Sequence, residues 1–520
     1  LFTPAQGHLV KVVASVTYIV CCVACGWASM SIAPHASRAA DKAAPASVSE
    51  VQQALRRATT FFRNDIATHG GYLWRYSDDL ELRDGEIAAT DTMIWVQPPG
   101  TPAVGETFLL AYVATGETAY LDAARDAAGA LVAGQLASGG WDYHIQFDPA
   151  LRPEYAYRAD ASTTGRNIST LDDDTTQAAV RFLMHVDRAL DFNDAAIHEA
   201  VLYALDHLVT AQYPNGAWPQ RYEAPHADDD ISLISASYPA SWSREFRHEP
   251  YMRHYTLNDN VLSNMVATML EAASIYGDSR YQSAAERSGD FLILAQMPEP
   301  QPAWAQQYDA DMHPAWARKF EPPAVTGGES QTAMYTLLRL YEATGEVRFL
   351  EPLPAAIAYF CRSQLDDGRL ARFYELQTNR PLYFTKDYQL TYDDADVPTH
   401  YAFKSSNKIT KLSALYEKLA RGEPDAVVRK PERSRIADGD QLAEQARAIV
   451  DQLDHRGRWV EAGDMRAPNP DRPVAHIIRS LTFSQNVAVL CRYLEQCNRT
   501  SDDGGGASDG QNTSAATAPR

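Results

Sequence analysis

Residues Ala211–Gln220 read AQYPNGAWPQ, a turn that closes a long amphipathic run with an Asn-Gly step, a large aromatic anchor and then polar side chains. Related turns occur in GGYLWRY from Gly70, SGGWDYH from Ser138, EPQPAWAQQY from Glu299, DDGRLARFY from Asp366 and HRGRWVEAG from His455. Their anchors, Trp74, Trp141, Trp218, Trp304, Leu370 and Trp459, are spaced by the length of a helical hairpin plus a connecting loop, the mark of a helical repeat. Between them, Val180, Leu183, Val186 and Leu190, and again Leu262, Met265, Val266, Met269 and Leu270, follow the three-and-four spacing of a buried helix face. A glycine-containing turn recurs inside the hairpins, in ATGETAYLDAA after Tyr112, IYGDSRYQSAA after Ser274 and YEATGEVRFLEP after Leu340, where glycine supplies a left-handed helix stop. Six such units predict an all-α fold, an α/α toroid (barrel) of helical hairpins, with β structure confined to short pieces near Leu376–Leu390.

The 520 residues are 45% hydrophobic and 22% charged, ordinary globular usage that supports one large catalytic-size domain over 41–498. Net charge is −20, from 47 Lys and Arg against 67 Asp and Glu, which argues against a nucleic-acid partner held by a broad basic surface. An acidic polymer would need local cations. Residues 1–40, with Lys11 before the apolar run Val12–Ala28 and small residues after it, read as a secretory signal, a retained anchor being the alternative. The expectation is a secreted or periplasmic monomer with no stable membrane span in the mature chain. Removing that segment leaves Cys361, Cys491 and Cys497, an odd set without disulfide or metal spacing, expected to serve as buried packing. Residues 499–520 lack apolar periodicity and read as a disordered polar tail.

Three polar clusters interrupt the helical pattern at helix starts. Thr170–Gln177 places Asp172, Asp173 and Asp174 before an apolar helix; Asp174 with Gln177 fits a capping box, yet capping needs only one carboxylate. Three adjacent carboxylates repel one another, and a hard cation such as Ca²⁺ compensates them. Tyr255–Asn260 repeats the arrangement, with Asn258 or Asp259 as a cap or Asp259 as a further ligand. Trp316–Ser330 carries Arg318 and Lys319 on an irregular stretch, as solvated surface cations or as functional groups. All three hold the same station in successive repeats, which directs them toward one mouth.

The chain resembles family 10 of the polysaccharide lyases, the pectate lyases with an α/α-barrel catalytic domain. The likeness spans about 160–385 and is carried by LDDDTT at 171–176, AQYPNGAWPQ at 211–220, YTLNDN at 255–260, ARKFEPPAVTGGES at 317–330 and ARFYELQTNRP at 371–381. It implies endo-acting cleavage of de-esterified polygalacturonate, or a related polyuronate, by β-elimination with Ca²⁺ as cofactor. It further implies that Asp172 and Asp259, with Asp173 beside them, bind the metal and that Arg318 is the catalytic base. Arg372 and Arg380 lie in the segment supplying substrate-binding cations; Lys319 adds to the positive field and Trp218 to the sugar-facing rim. Three departures stand out: NGAW replaces NGGW, LDDDTT replaces an Asp-Asn form, and Glu223–Pro250, with Asp228–Asp230, Trp242 and Arg244, is an insertion that reshapes the cleft. Thr385–Phe403 reads as an ordered polar loop.

Two other classes share this architecture. A glycoside hydrolase would pair carboxylates such as Asp172, Asp259 and Glu329 as acid and base. A non-catalytic carbohydrate-binding protein would use Trp141, Trp218 and Trp304 to stack on sugar, or only to pack under turns.

Overall fold

The computed structural model describes residues 44–160, 164–224, 233–246, 248, 250–423, 439–467 and 472–504. The signal-like segment 1–40, Asp228–Asp230 and residues 505–520 of the tail lie outside them. Among the described residues the α-helices are α1 (Val48–Phe61), α2 (Thr101–Thr115), α3 (Thr118–Ala133), α4 (Thr175–Ala189), α5 (Ala195–Thr210), α6 (Val261–Tyr276), α7 (Ser279–Ala295), α8 (Gly327–Thr344), α9 (Leu353–Arg362), α10 (Ile409–Ala420), α11 (Gly439–Gln452) and α12 (Ser480–Gly504). None is long and apolar enough to cross a membrane. Contacts divide the chain into two compact units, one of Leu1–Asp91, Ala103–Ala127 and Arg433–Arg520, the other of Thr92–Pro102 and Ala128–Glu432.

In the first unit α1 packs against α11 and α12. Its start is fixed by a capping box in which the Glu50 N–H donates to Ser47 Oγ at 3.2 Å and the Ser47 N–H donates to Glu50 Oε2 at 2.7 Å. A four-stranded antiparallel sheet orders Glu461–Ala462, His476–Arg479, Arg75–Ser77 and Arg83–Asp84. The last helix runs to Gly504, so the first residues of the expected irregular tail are helical. Cys491 is buried as expected, but Cys497 is only half-buried and Cys361, on α9 of the second unit, is exposed.

The second unit carries the hairpins α4–α5, α6–α7 and α8–α9, followed by α10. Here α4 lies against α6, α6 against α8 and α8 against α10 in turn, while α5 meets α7. This is the expected class, an α/α-toroid fold built of helical hairpins. Glycine ends the first helix of two of them, Gly277 after α6 at φ +70° and Gly345 after α8 at φ +73°. Most of the helix faces read from spacing are core: Val180, Leu183, Val186, Leu262, Met265, Val266 and Met269 are buried, while Leu190 and Leu270 are half-buried.

The anchors act as internal braces. Trp141, Trp218 and Trp304 are 0% exposed, and each indole N–H returns to the helix before it: Trp141 to the Leu131 carbonyl at 2.8 Å, Trp218 to Leu208 at 3.0 Å, Trp304 to Leu292 at 2.7 Å. A buried indole needs such a partner, and the helix end needs such a donor. The expected placement of Trp218 on a sugar-facing rim is therefore wrong; it is sealed in the core. Glycine makes the turn possible. Gly216 sits at φ +92°, and a Cβ there would lie 2.0 Å from the Arg287 carbonyl oxygen.

Strands are more widespread than expected. Besides Phe373–Glu375, Pro381–Phe384 and Leu390–Thr391 in the anticipated region, a short antiparallel pair follows each anchor turn of this unit: Met93–Trp95 with His144–Gln146, Ser169–Thr170 with Arg221–Tyr222, Tyr255–Thr256 with Gln307–Tyr308, Ala324–Thr326 with Phe373–Glu375. At two or three residues each, these segments are too short to show alternation in sequence. They matter because each leads directly into α2, α4, α6 or α8.

Candidate active site

Each approach to a helix is held by the anchor behind it. The N–H of Thr170 donates to the Trp141 carbonyl at 2.9 Å, that of Thr256 to Trp218 at 3.1 Å and that of Thr326 to Trp304 at 2.9 Å. One residue further, the Leu171 N–H reaches the Gln220 carbonyl at 2.9 Å and the Leu257 N–H reaches the Gln306 carbonyl at 2.9 Å. The chain then enters one 3₁₀ turn before the helix, Asp172–Asp174 before α4 and Asn258–Asn260 before α6.

These two turns share an unusual backbone. Asp173 and Asp174 stand at φ 49° and 63°, Asp259 and Asn260 at φ 49° and 60°. Left-handed conformation in two consecutive non-glycine residues is strained, and Asp and Asn tolerate it best. The expected capping box is not formed. Neither Asp174 nor Asn260 caps its helix with its side chain; Gln177 donates to the Leu171 carbonyl at 2.8 Å, and Asp174 accepts from Arg181 Nη2 at 2.6 Å. Asp174 is thus an ion-pair partner inside the helix layer, and Asp172, Asp173 and Asp259 are left facing one another.

Their carboxylates converge, with one oxygen from each lying within 4.8 Å of the others. Asp172 Oδ2 accepts from the Tyr143 hydroxyl at 2.7 Å, which in turn accepts from Arg221 Nη2 at 3.0 Å. Burial, together with the Asp172 charge, pushes the Tyr143 hydroxyl pKa up and keeps it a donor. Gln97 Nε2 donates to Asp173 Oδ2 at 2.8 Å, and Asn258 Nδ2 to Asp259 Oδ2 at 2.6 Å. Burial and the charges of Asp172 and Asp173 raise the Asp259 carboxyl well above its ordinary range, with Arg318 pulling partly the other way. Among the described residues, Asp172 Oδ1 and Asn258 Oδ1 are buried without a hydrogen-bond partner. Orphaned oxygens of this kind call for a ligand.

Arg318 stands on the loop before Ala324–Thr326, within electrostatic reach of Asp259. Glu321, 1% exposed, grips it twice, from Nε to Oε2 at 2.8 Å and from Nη2 to Oε1 at 2.5 Å. The Tyr401 hydroxyl donates to the same Oε1 at 3.0 Å. Burial alone would lower the Arg318 pKa, but the hydrogen bonds and charge of Glu321, with Asp259 and Tyr401 beyond, raise it. Arg372 joins this group: it lies over the Tyr401 ring at 4.4 Å and reaches Glu329 at 3.4 Å, so Glu329 is an ion-pair partner.

The other expected cations are stacked on rings. Lys319 is exposed, its ammonium 3.4 Å from the centroid of the Tyr388 ring, and Arg380 stacks on Tyr392 at 3.5 Å. Sequence reasoning missed Glu321, Tyr401, Tyr143, Gln97 and Arg221. Glu321 and Arg221 stand inside or beside quoted motifs, and Tyr143 follows an anchor turn, but nothing local marks which polar neighbour bonds to which carboxylate.

Residues 135–371 match the pectic acid lyase family, a span holding both acidic turns and Arg318. No curated protein matches the chain significantly. Among solved structures, family 10 polysaccharide lyase from Cellvibrio cellulosa is 20% identical, with 65% of this chain and 99% of that one covered at a TM-score of 0.42. An Asp-to-Ala variant of that enzyme, solved with trigalacturonic acid, gives 20% identity, 61% and 98% coverage and 0.42. Cellobiose 2-epimerase from Bacillus thermoamylovorans gives 13% identity, 86% and 99% coverage and 0.43. Over residues 135–371, somewhat under half of the chain, the protein is similar to the pectic acid lyase family, and that likeness marks it as a lyase.

Proposed function

We propose that this lyase cleaves de-esterified polygalacturonate, or a closely related polyuronate, by Ca²⁺-assisted β-elimination. The observation that carries this reading is the convergence of Asp172, Asp173 and Asp259 from two successive repeats, with Arg318 in electrostatic reach. The residues fit the cation: every donor is oxygen, three carboxylates converge, and among the described residues the buried Asp172 Oδ1 and Asn258 Oδ1 lack hydrogen-bond partners. Asp172, Asp173 and Asp259 would hold it. When bound, Ca²⁺ would neutralise a uronate carboxylate and so acidify the proton on the neighbouring carbon.

The chain's own groups then divide the work. Glu321 fixes Nε and Nη2 of Arg318, leaving Nη1 as the nitrogen that, in the neutral guanidine, would take the C5 proton while the C5–H electrons form the C4–C5 double bond, the C4–O bond breaks and the leaving oxygen takes a proton from water. Arg372, braced by Tyr401 and Glu329, binds a uronate carboxylate. Tyr143 and Gln97 orient Asp172 and Asp173. The variant solved with trigalacturonic acid supports an acidic-sugar substrate.

The Glu321 pair favours one second reading. A guanidinium held by a buried carboxylate keeps its proton, so Arg318 would stay cationic and stabilise developing charge. Arg318→Lys separates the two: loss of about a hundredfold in kcat with KM little changed marks a positioned base, whereas a charge stabiliser retains most of its turnover. Incubation with polygalacturonate, with and without chelator, tests the function itself. Unsaturated uronide ends that require Ca²⁺ support it; saturated ends, or full activity in chelator, refute it.

A further inference from the structure

We propose that the inserted segment 233–246 adds a second acidic-sugar subsite to this lyase, with Arg244 as its carboxylate-binding group. The proposal rests on the polyuronate reading above. The described part of the insertion is tied down along its length. The Ala236 N–H donates to the Leu294 carbonyl at 2.7 Å, the Ser237 N–H to Met312 at 3.2 Å, and the Tyr238 hydroxyl to Pro298 at 3.0 Å. Its far end reaches the Arg318 loop, where the Trp316 indole N–H donates to the Ser243 carbonyl at 3.0 Å and Phe246 meets Trp316 edge-on at 5.6 Å. Trp242 and Trp316 both pack against the small aromatic core of Phe320, Phe373, Phe384 and Phe403. The strap and the Arg318 loop therefore share one support.

Arg244 is set there as a recognition group rather than as a loose surface cation. Its guanidinium lies over the Trp242 ring at 4.7 Å and donates through Nη2 to Glu375 Oε1 at 2.5 Å, while 54% of the side chain stays exposed. Glu375 is 2% exposed, and its Oε1 also accepts from Tyr392 at 2.8 Å. Tyr392 in turn carries the Arg380 guanidinium at 3.5 Å. Two guanidiniums stacked on rings thus flank one buried carboxylate. Stacking fixes the plane of a guanidinium and leaves its edge N–H groups to bind a carboxylate in two-pronged fashion. That order is present before any ligand arrives, which lowers the entropy lost on binding. Glu375 pairs with Ala324 across the sheet, three residues beyond Arg372, so its backbone stands roughly 10 Å along the chain from that of Arg372. A chain of a few uronate units bridges that interval.

The test compares wild type with Arg244→Gln and Arg244→Lys in excess Ca²⁺, on polygalacturonate and on trigalacturonate. Arg244→Gln should raise KM for the polymer about tenfold with kcat within about twofold, and leave the trimer nearly unaffected. Arg244→Lys, which keeps the charge but loses the planar fork, should recover only part of the affinity. An unchanged KM on the polymer, or an equal fall in kcat on both substrates, overturns the proposal; the latter means that the strap only supports the Arg318 loop. Binding of polygalacturonate by affinity electrophoresis keeps this separate from the activity. Wild type that binds polymer without forming unsaturated ends refutes the lyase substrate reading, and the Arg244→Gln binding comparison still decides the subsite. Wild type that binds no polygalacturonate overturns both.

Discussion

Replacing Asp259 by Asn should reverse the stability order of variant and wild type between chelator and Ca²⁺. Without cation, the Asp172, Asp173 and Asp259 oxygens stand within 4.8 Å of one another. A pair of unit charges at that distance repels by about 1 kcal/mol in water-like surroundings and about 3 kcal/mol at an effective dielectric of 20. Asn removes this repulsion, and its amide oxygen can still accept from Asn258. The chelated variant should therefore be the more stable by about 1–2 kcal/mol, a rise in Tm on the order of 2 °C. In Ca²⁺ at about a hundred times Kd, wild type gains about 2.7 kcal/mol by mass action. The variant, with one of three carboxylates gone, should gain less than about 1 kcal/mol. Thermal melts at about pH 8, in chelator and across a Ca²⁺ titration, read both numbers. An equal Ca²⁺ response in the two proteins, or a variant less stable than wild type in chelator, would refute the idea that these carboxylates are preassembled for a cation.

Glu321→Gln weakens the hold on Arg318, and kcat should fall by at least about tenfold with KM moving less; unchanged kcat would remove Glu321 from the machinery. The same variant carries a pH signature. Burial pushes the Glu321 carboxyl up, but the Arg318 bonds and charge outweigh it, and the net shift is downward. Its stabilisation is then complete above the ordinary glutamate pKa of about 4.3 and is lost as pH falls through the depressed value, so Glu321→Gln should flatten the acid limb of stability below about pH 4. Trp218→Phe strands the Leu208 carbonyl and should destabilise by about 1–3 kcal/mol in denaturant titration while KM stays put; a raised KM at intact stability would restore Trp218 to the sugar surface. Gly216→Ala adds a left-handed penalty of about 1–2 kcal/mol and a contact that forces the Arg287 backbone to move, so a melting temperature equal to wild type would contradict the turn geometry.

The helical repeat was legible because its signals are local and periodic. Apolar faces recur at helical spacing, and glycines such as Gly277 and Gly345 stop helices where the pattern ends. The two acidic turns were legible as stations in that repeat, and the structure brings Asp172, Asp173 and Asp259 together as their order implied. What could not be read was the choice among neighbouring polar groups. Asp174 looked like a cap, yet Arg181, one face along α4, takes its carboxylate. Trp218 looked available for sugar, but an indole serves equally as a core brace, and only the Leu208 carbonyl shows which. The Arg318–Glu321 pair was hidden for a similar reason: Glu321 lies three residues away on an irregular loop, where spacing carries no facing rule. Tyr401 comes from a segment some eighty residues on, and only the fold makes them partners.

The indole-to-carbonyl brace has a consequence for how such a protein can diversify. From α3, α5 and α7 to the tryptophan that follows, the path is held by that bond to a span of 10 to 12 residues. From the tryptophan to α6 or α8 no such measure operates, because Thr256 returns to the Trp218 carbonyl after the whole inserted strap, just as Thr326 returns to Trp304 after a much shorter excursion. The excursion behaves as a cassette, clipped at both ends to one residue's main chain. Its contents can be exchanged without shifting the Asn258–Asn260 turn that follows, so the polymer recognised at the mouth can change between relatives while the carboxylates that would hold the cation stay where they are.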